Sequence, residues 1–367
     1  MSSKLGIGII GCGKISDAYF AGLRLYPFLE IIACADLLPA RAESKAAQHG
    51  VRALSVTDLL ADPEIAIVVN LTVPQAHAAV NESILGAGKH AYCEKPFALN
   101  VADGARVLAL ARKRGLLVGC APDTFLGSGL QTARALIDRG AIGTPLSAMA
   151  HFLHRGHETW HPTPEFYYQA GGGPMFDMGP YYLTALVNFL GPIARVGGIA
   201  RQGYAERTIT SEPQAGKKIR VEVPTHYFGT IDFAGGAVAS IVTSFDTYPF
   251  PLPRIVVYGT EGTLEAPDPN HFVGDVRLYD RETKTYVVAP PTHTAERLRG
   301  TGVADMAQAV LRRERGFRAN GELAQHIVEA MCGFDLASQA GRMIALETTC
   351  ARPAALPANL ASGTLDA

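Results

Sequence analysis

Along the first third of the chain, short apolar runs alternate with stretches whose apolar residues recur at helical spacing. Residues 5–10 are apolar apart from Gly6 and Gly8. They lead into 15–25, where Ile15, Ala18, Tyr19, Gly22 and Leu23 fall at helical intervals. The alternation predicts strands near 5–10, 28–35, 65–71, 90–93 and 116–120, with helices near 15–25, 38–49, 74–86 and 101–114. Ile65-Ala66-Ile67-Val68-Val69 is apolar throughout, as expected of a strand covered on both faces. This order specifies an α/β fold with a parallel, doubly wound sheet over residues 1–122.

After about Asp123 the pattern changes. It predicts a helix near 127–139, a strand at 145–154, a helix at 177–190 and then a series of strands. Phe233-Ala234-Gly235-Gly236-Ala237-Val238 sets a Gly-Gly turn between two alternating runs, and 257–264 reads as a second hairpin. Residues 123–367 are expected to form a second α/β domain with a largely antiparallel open sheet and helices on one side. The segment 322–347, with Ile327, Ala330, Met331, Phe334 and Ala337 at helical spacing, is long enough to pack back along the chain. Pro353 marks its end.

The first strand-to-helix turn reads Gly11-Cys12-Gly13-Lys14-Ile15-Ser16. Gly11 permits the tight turn, Gly13 lets a pyrophosphate approach the backbone, and the amides at the helix start attract its charge. Ser16 stands where the strict pattern has a third glycine, and it is small enough for close helix-to-strand packing. The second strand ends in Asp36, where a carboxylate accepts hydrogen bonds from the adenosine ribose and repels a 2′-phosphate. NAD is favoured over NADP, although Arg41 and Lys14 are close enough in sequence to approach a 2′-phosphate. In such a sheet the ligand lies at the carboxyl ends of the strands, where Gly11, Asp36, Thr72, Glu94 and Lys95 all fall.

Oxidising a secondary alcohol moves a hydride to nicotinamide while a proton leaves the hydroxyl, so the site needs a base and groups that hold the oxygen. Lys95 suits the task if burial lowers its proton affinity; it also reads as a surface lysine held extended by Pro96. Asp177 and Tyr181, four residues apart, share one face of the helix introduced by Gly171-Gly172-Gly173-Pro174. Asp177 lies near that helix's start, where the dipole favours an ionised carboxylate. Tyr181 and Tyr182 read as packing aromatics too. His151, His154, His157, Trp160 and His161 make a polar-aromatic stretch. Its loop, 155–165, reads as part of a sugar pocket, with a ring to stack and imidazoles to bond hydroxyls, or as a packed loop anchored by Trp160. No Cys or carboxylate set completes a closed shell around these histidines, so no metal is expected.

Composition narrows the class further. A chain of 367 residues is long enough for two cores. Lys plus Arg is 33 against 34 for Asp plus Glu, with no basic stripe, so no nucleic-acid partner is expected. No apolar run of about 18 residues marks a membrane span. Met1-Ser2-Ser3-Lys4 enters the first strand directly, leaving no room for a signal peptide. Six scattered cysteines fit reduced thiols rather than a disulfide framework, and the expected compartment is the cytoplasm.

The motifs Ile10-Gly11-Cys12-Gly13-Lys14-Ile15, Thr72-Val73-Pro74 with His77, Glu94-Lys95-Pro96-Phe97, Gly171-Gly172-Gly173 and Asp177-Met178-Gly179-Pro180-Tyr181 follow one another in order. Through them most of the chain resembles the glucose-fructose oxidoreductase, inositol dehydrogenase and rhizopine-catabolism (Gfo/Idh/MocA) group of NAD(P)-dependent oxidoreductases. The resemblance implies a Rossmann domain followed by an open-faced α/β domain, carbohydrate or polyol substrates, and homodimers or homotetramers formed through the open sheet. It implies a cofactor site of Gly11, Gly13, Ile15, Asp36, Thr72, Pro74, His77, Glu94 and Lys95, and it favours the catalytic reading of Lys95; Asp177, as an ionised carboxylate, suits binding the hydroxyl or orienting Lys95. Many members carry a histidine where this chain has Tyr181; in branches with tyrosine there, that residue is the proton donor or acceptor. Ala121-Pro122-Asp123-Thr124-Phe125 departs from the family's Asn or Arg beside a phenylalanine, which suggests Asp123 and Thr124 as substrate contacts with His154, Trp160 and His161.

The expected function is NAD-dependent hydride transfer between a secondary hydroxyl of a sugar, polyol or glycoside and the nicotinamide. The alternative is an NAD-retaining glycosidase that works by transient oxidation, elimination and re-reduction. A non-catalytic NAD-sensing protein is a third class, and the presence of Lys95, Asp177 and Tyr181 argues against it.

Overall fold

The computed structural model describes residues 4–366. They form two compact units: the first takes in the chain up to Gln131, Thr292–Gln325 and the chain from Pro353 onward, and the second Thr132–Pro291 with His326–Arg352. The expected single cut at 122/123 does not describe this division, because the chain returns to the first unit twice. The physical reason lies at the edge of the first sheet, where Cys120 N–H donates to Ala319 O at 3.1 Å and Gly119 bridges to Asn320.

In the first unit, β1 (Leu5–Ile10), β2 (Leu29–Ala35), β3 (Arg52–Ala53), β4 (Ile67–Asn70), β5 (His90–Cys93) and β6 (Val118–Cys120) make one parallel sheet in the order β3-β2-β1-β4-β5-β6. This is the doubly wound arrangement expected from the alternating pattern. The order reverses beside β1, which opens a crevice at the carboxyl ends of β1 and β4. Every residue of β4 is buried, as its unbroken apolar run requires. Helices α1 (Ser16–Leu23), α2 (Pro39–His49), α3 (Val56–Ala61), α4 (His77–Gly86) and α5 (Val101–Arg114) join the strands. The bounds of α5 follow from local chemistry. Asn100 caps its start by accepting from Asp103 N–H, three basic residues close its last turn, and Gly115 ends it at φ +68°.

The second unit is built on a nine-stranded sheet. After α6 (Ser128–Asp138) come β7 (Pro145–Leu153), α7 (Gly173–Leu190), β8 (Ile193–Arg201) and a small antiparallel ribbon of β9 (Glu206–Thr208) and β10 (Lys218–Arg220). Then follow β11 (His226–Phe233), β12 (Val238–Ser244), β13 (Ile255–Gly259), β14 (Thr263–Ala266), β15 (Arg277–Asp280) and β16 (Thr285–Val288). Both expected hairpins form: β11 pairs antiparallel with β12 across Gly235-Gly236, and β13 with β14. All pairs in this sheet are antiparallel except β12 with β7, which run parallel. α7 covers one face, and the other leaves Met149, Ile199, Phe228 and Val238 at 44–58 % exposure.

Two helices close the chain's account. α8 (Thr301–Arg312) belongs to the first unit, and α9 (Gly321–Ala340) is shorter than the apolar segment 322–347 suggested. Gly341 takes φ +64°, which stops the helix well before Pro353, and β17 (Ile344–Ala345) then pairs with β8.

At Gly11 the backbone sits at φ +101°, and a Cβ would lie 2.5 Å from Leu71 O. Gly11→Ala should lower stability by about 3 kcal/mol, read as a shift in the denaturant midpoint.

Candidate functional site

The carboxyl edge of the first sheet gathers the glycine turn and Asp36. Gly11 N–H donates to Ala35 O at 2.8 Å, fastening the turn to the end of β2. A Cβ on Gly13 would meet nothing within 4 Å, so the backbone there is open to an approaching phosphate. Ser16 is fully buried and its Oγ donates to Gly13 O at 2.7 Å, so the residue in the third glycine's place closes the turn itself. Ile15, half-buried, occupies the cap position of α1. Asp36 Oδ2 accepts from Cys12 N–H at 2.8 Å and Oδ1 from Leu38 N–H at 2.9 Å. The carboxylate is thereby fixed beside the turn, with lone pairs remaining on both oxygens. Open backbone at Gly13 and an aimed carboxylate together fit the pyrophosphate and ribose of a dinucleotide.

The loops after β4 and β5 are held from within. Thr72 N–H and Oγ1 donate to Asn70 Oδ1 at 3.2 and 2.7 Å, and Pro74 opens the short 3-10 turn Pro74–Ala76. His77 is 1 % exposed, with Nδ1 at 2.7 Å from Pro96 O and Nε2 at 3.0 Å from Thr72 O. Expected at the cofactor site, it lies between the two loops, with each ring nitrogen facing a carbonyl of one of them. Burial pushes its imidazole below the usual value. Glu94 is also internal: Oε1 accepts from Tyr19 Oη at 2.8 Å and Oε2 from Lys95 N–H at 3.0 Å. Lys95 is half-buried between buried Glu94 and Pro96, which counts against the freely exposed surface lysine.

Asp123 and Thr124, read as substrate contacts, are 0 % and 1 % exposed. Asp123 Oδ2 accepts from Gly300 N–H at 2.8 Å and Gly302 N–H at 3.0 Å, so the carboxylate caps the start of α8 rather than meeting a substrate. Burial raises its carboxyl to about 6.

In the second unit, α7 begins at Gly173, four residues earlier than expected. Asp177 therefore lies in the second turn, where the helix dipole has faded, and His157 holds one of its oxygens, with Nε2 3.1 Å from Oδ2. Tyr181, one turn further along, is 4 % exposed. Tyr182 is fully buried against the Phe152 ring at 6.2 Å, a packing aromatic. His154 stacks on His157 at 5.3 Å, and burial lowers its pKa. Trp160, half exposed, stands edge-on to both His157 and His161 at 5.3 Å. His154, Trp160 and His161 thus share one aromatic cluster with His157, the residue that sequence reasoning had not placed in the site. Its signal was present in the polar-aromatic stretch, but periodicity cannot tell which of four histidines turns inward.

The loop carrying this cluster is pinned by buried charge. Arg207 donates to Glu158, to Asp246, to Arg155 O at 3.0 Å and to Phe245 O at 2.8 Å, while Tyr168 donates to Glu158. Arg207 and Glu158 are 5 % and 6 % exposed. Among the described residues, no group of three His, Cys, Asp or Glu is gathered to hold a metal, and no helix is long and apolar enough to cross a membrane.

A dinucleotide cradle at the switch point of a doubly wound sheet, followed by an open mixed-sheet unit, defines an NAD-binding oxidoreductase. The chain belongs to the Gfo/Idh/MocA family: residues 5–121 match the oxidoreductase family's NAD-binding Rossmann fold, and 130–265 match the GFO/IDH/MocA C-terminal domain. It is similar to 1,5-anhydro-D-fructose reductase of Ensifer adhaerens, 24 % identical over 79 % of this chain and 84 % of that one. It is also similar to inositol 2-dehydrogenase of Salmonella typhimurium strain LT2, 30 % identical over 45 % and 51 %. Levoglucosan dehydrogenase, solved with NADH and L-sorbose, shares its fold with a TM-score of 0.80 at 18 % identity, covering 94 % of this chain and all of that one.

Two measurements check these placements. Arg207→Met strands two buried carboxylates and should cost about 3–5 kcal/mol, seen as a lower thermal midpoint by circular dichroism. For Asp123, a raised folded-state value means that its stabilising contribution is fully present below about pH 4 and is lost as pH rises through about 6. Asp123→Asn keeps an oxygen for both amides and removes this dependence. Relative to the parent, it should gain about 2 kcal/mol between about pH 4.5 and about pH 7 in denaturant unfolding.

Proposed function

We propose that this protein is an NAD-dependent oxidoreductase that moves a hydride between a secondary hydroxyl of a sugar, polyol or glycoside and the nicotinamide. The observation that carries the reading is the Asp36 carboxylate, held by Cys12 N–H beside an open glycine turn, with Lys95 on the same carboxyl edge of the sheet. Bound NAD would supply the hydride acceptor. Asp177 orients the hydroxyl, and Lys95 and Tyr181 handle its single proton between them, one of the two accepting it as the hydride leaves and returning it in the reverse direction. Gly11, Gly13, Ile15, Asp36, Thr72 and Pro74 form the cofactor side. His154, Trp160 and His161 offer a stacking face and ring nitrogens to a carbohydrate.

Asp36 favours NAD, because a carboxylate fixed beside the ribose repels a 2′-phosphate. The apolar residues on the open sheet face, around a concavity of about 560 Å³ lined by Met149, Thr230 and Val238, support a homodimer or homotetramer formed there. Six free cysteines suit the reducing cytoplasm.

The test is to assay purified protein for bound nucleotide, then to supply NAD with sugars, polyols and aryl glycosides while following NADH and aglycone together. NADH should accumulate with at least one polyol or sugar. Aglycone release without net NADH would move the assignment to the NAD-retaining glycosidase, and neither signal would overturn it. Lys95→Met should reduce turnover at least 100-fold with NADH binding retained. Asp36→Ser should improve the NADP-to-NAD ratio of kcat/KM about tenfold, which is about 1.4 kcal/mol.

A further inference from the structure

We infer that His157 is a positioning residue for this reaction: its Nε2–H holds one oxygen of Asp177 and thereby fixes the carboxylate in the orientation that receives the substrate hydroxyl. The inference rests on the role proposed above for Asp177.

Three observations converge on it. Nε2 lies 3.1 Å from Asp177 Oδ2, and the two side chains are only 8 % and 14 % exposed. The imidazole is enclosed by rings: Tyr167 at 3.9 Å, Phe245 edge-on at 4.6 Å, Trp160 edge-on at 5.3 Å and His154 stacked at 5.3 Å. Its Nδ1 is shielded from solvent and has no hydrogen-bond partner.

Together these select one tautomer. A proton on Nδ1 would strand a buried donor among rings and set the bare Nε2 lone pair against a carboxylate oxygen. A proton on Nε2 satisfies the carboxylate and leaves only a lone pair unmatched, the smaller penalty. The backbone cannot drift, because His157 N–H donates to Tyr168 Oη at 3.0 Å and Tyr168 is tied in turn to Glu158 and Arg207. The donor is therefore fixed before any substrate arrives. One oxygen of Asp177, in the second turn of α7, is thus met by a donor whose position is set by its own loop.

The test uses the full chain labelled with ¹⁵N-histidine. The His157 ring signals, assigned by their loss in His157→Gln, should report the Nε2–H tautomer at about pH 7, and Asp177→Leu, which removes the acceptor, should abolish that preference. An Nδ1–H tautomer, or no response to Asp177→Leu, would overturn the inference. In parallel, His157→Phe keeps a ring but removes the donor. It should lower kcat at least tenfold while the NADH dissociation constant stays within twofold, and His157→Gln, whose amide restores a donor, should recover most of the loss. Unchanged kcat in a folded His157→Phe protein would also overturn it. If the parent protein oxidises no polyol or sugar, the proposed reaction fails, whereas the ring signals still decide whether His157 holds Asp177.

Discussion

At Gly11 the chain turns so tightly beneath Leu71 that a single added methyl group would meet backbone, and the rest of that sheet edge is arranged around the turn. Because Gly11 is fastened to Ala35, the end of β2 and the glycine turn move as one piece. Asp36, the next residue, then reaches Cys12 without leaving its strand. Local conformational freedom at one position thus sets a carboxylate and an open stretch of backbone at a fixed separation, which recognising a dinucleotide requires before any ligand is present.

The second unit solves a different problem. Its aromatic loop has little regular structure of its own, consisting of two short 3-10 turns between β7 and α7, yet it must present rings in defined positions. Arg207, reaching in from β9, supplies the constraint by joining Glu158 and Asp246 in a buried cluster that also binds two carbonyls. A buried ion cluster is a poor source of net stability but a strong source of order, because breaking it leaves charge without a partner. The loop is accordingly specified by electrostatics where the Rossmann edge is specified by backbone geometry.

What the sequence made legible divides along the same line. Strands such as β4 and the Gly-Gly hairpin depend on neighbours a few residues away, and each was readable from spacing alone. The glycine turn and Asp36 were readable because their separation follows from one strand-helix-strand unit. Asp123 was misread because the amides it caps lie 177 and 179 positions further on. The setting of His77 was out of reach for a related reason: burial between Thr72 O and Pro96 O is a property of two loops, and no period in the sequence encodes it. The return of 292–325 to the first unit likewise depends on an edge strand that only the folded sheet defines.

Trp160 is the chain's single tryptophan, and it lies within the aromatic cluster, half open to water and edge-on to two imidazoles. The indole emission of the whole protein therefore originates from one loop. Neighbouring imidazoles and water both alter such emission, so the protein carries an unlabelled optical probe within the loop proposed to receive the substrate. Ligand arrival, loop rearrangement and loss of the Arg207 anchor would each leave a separate imprint on the same spectrum.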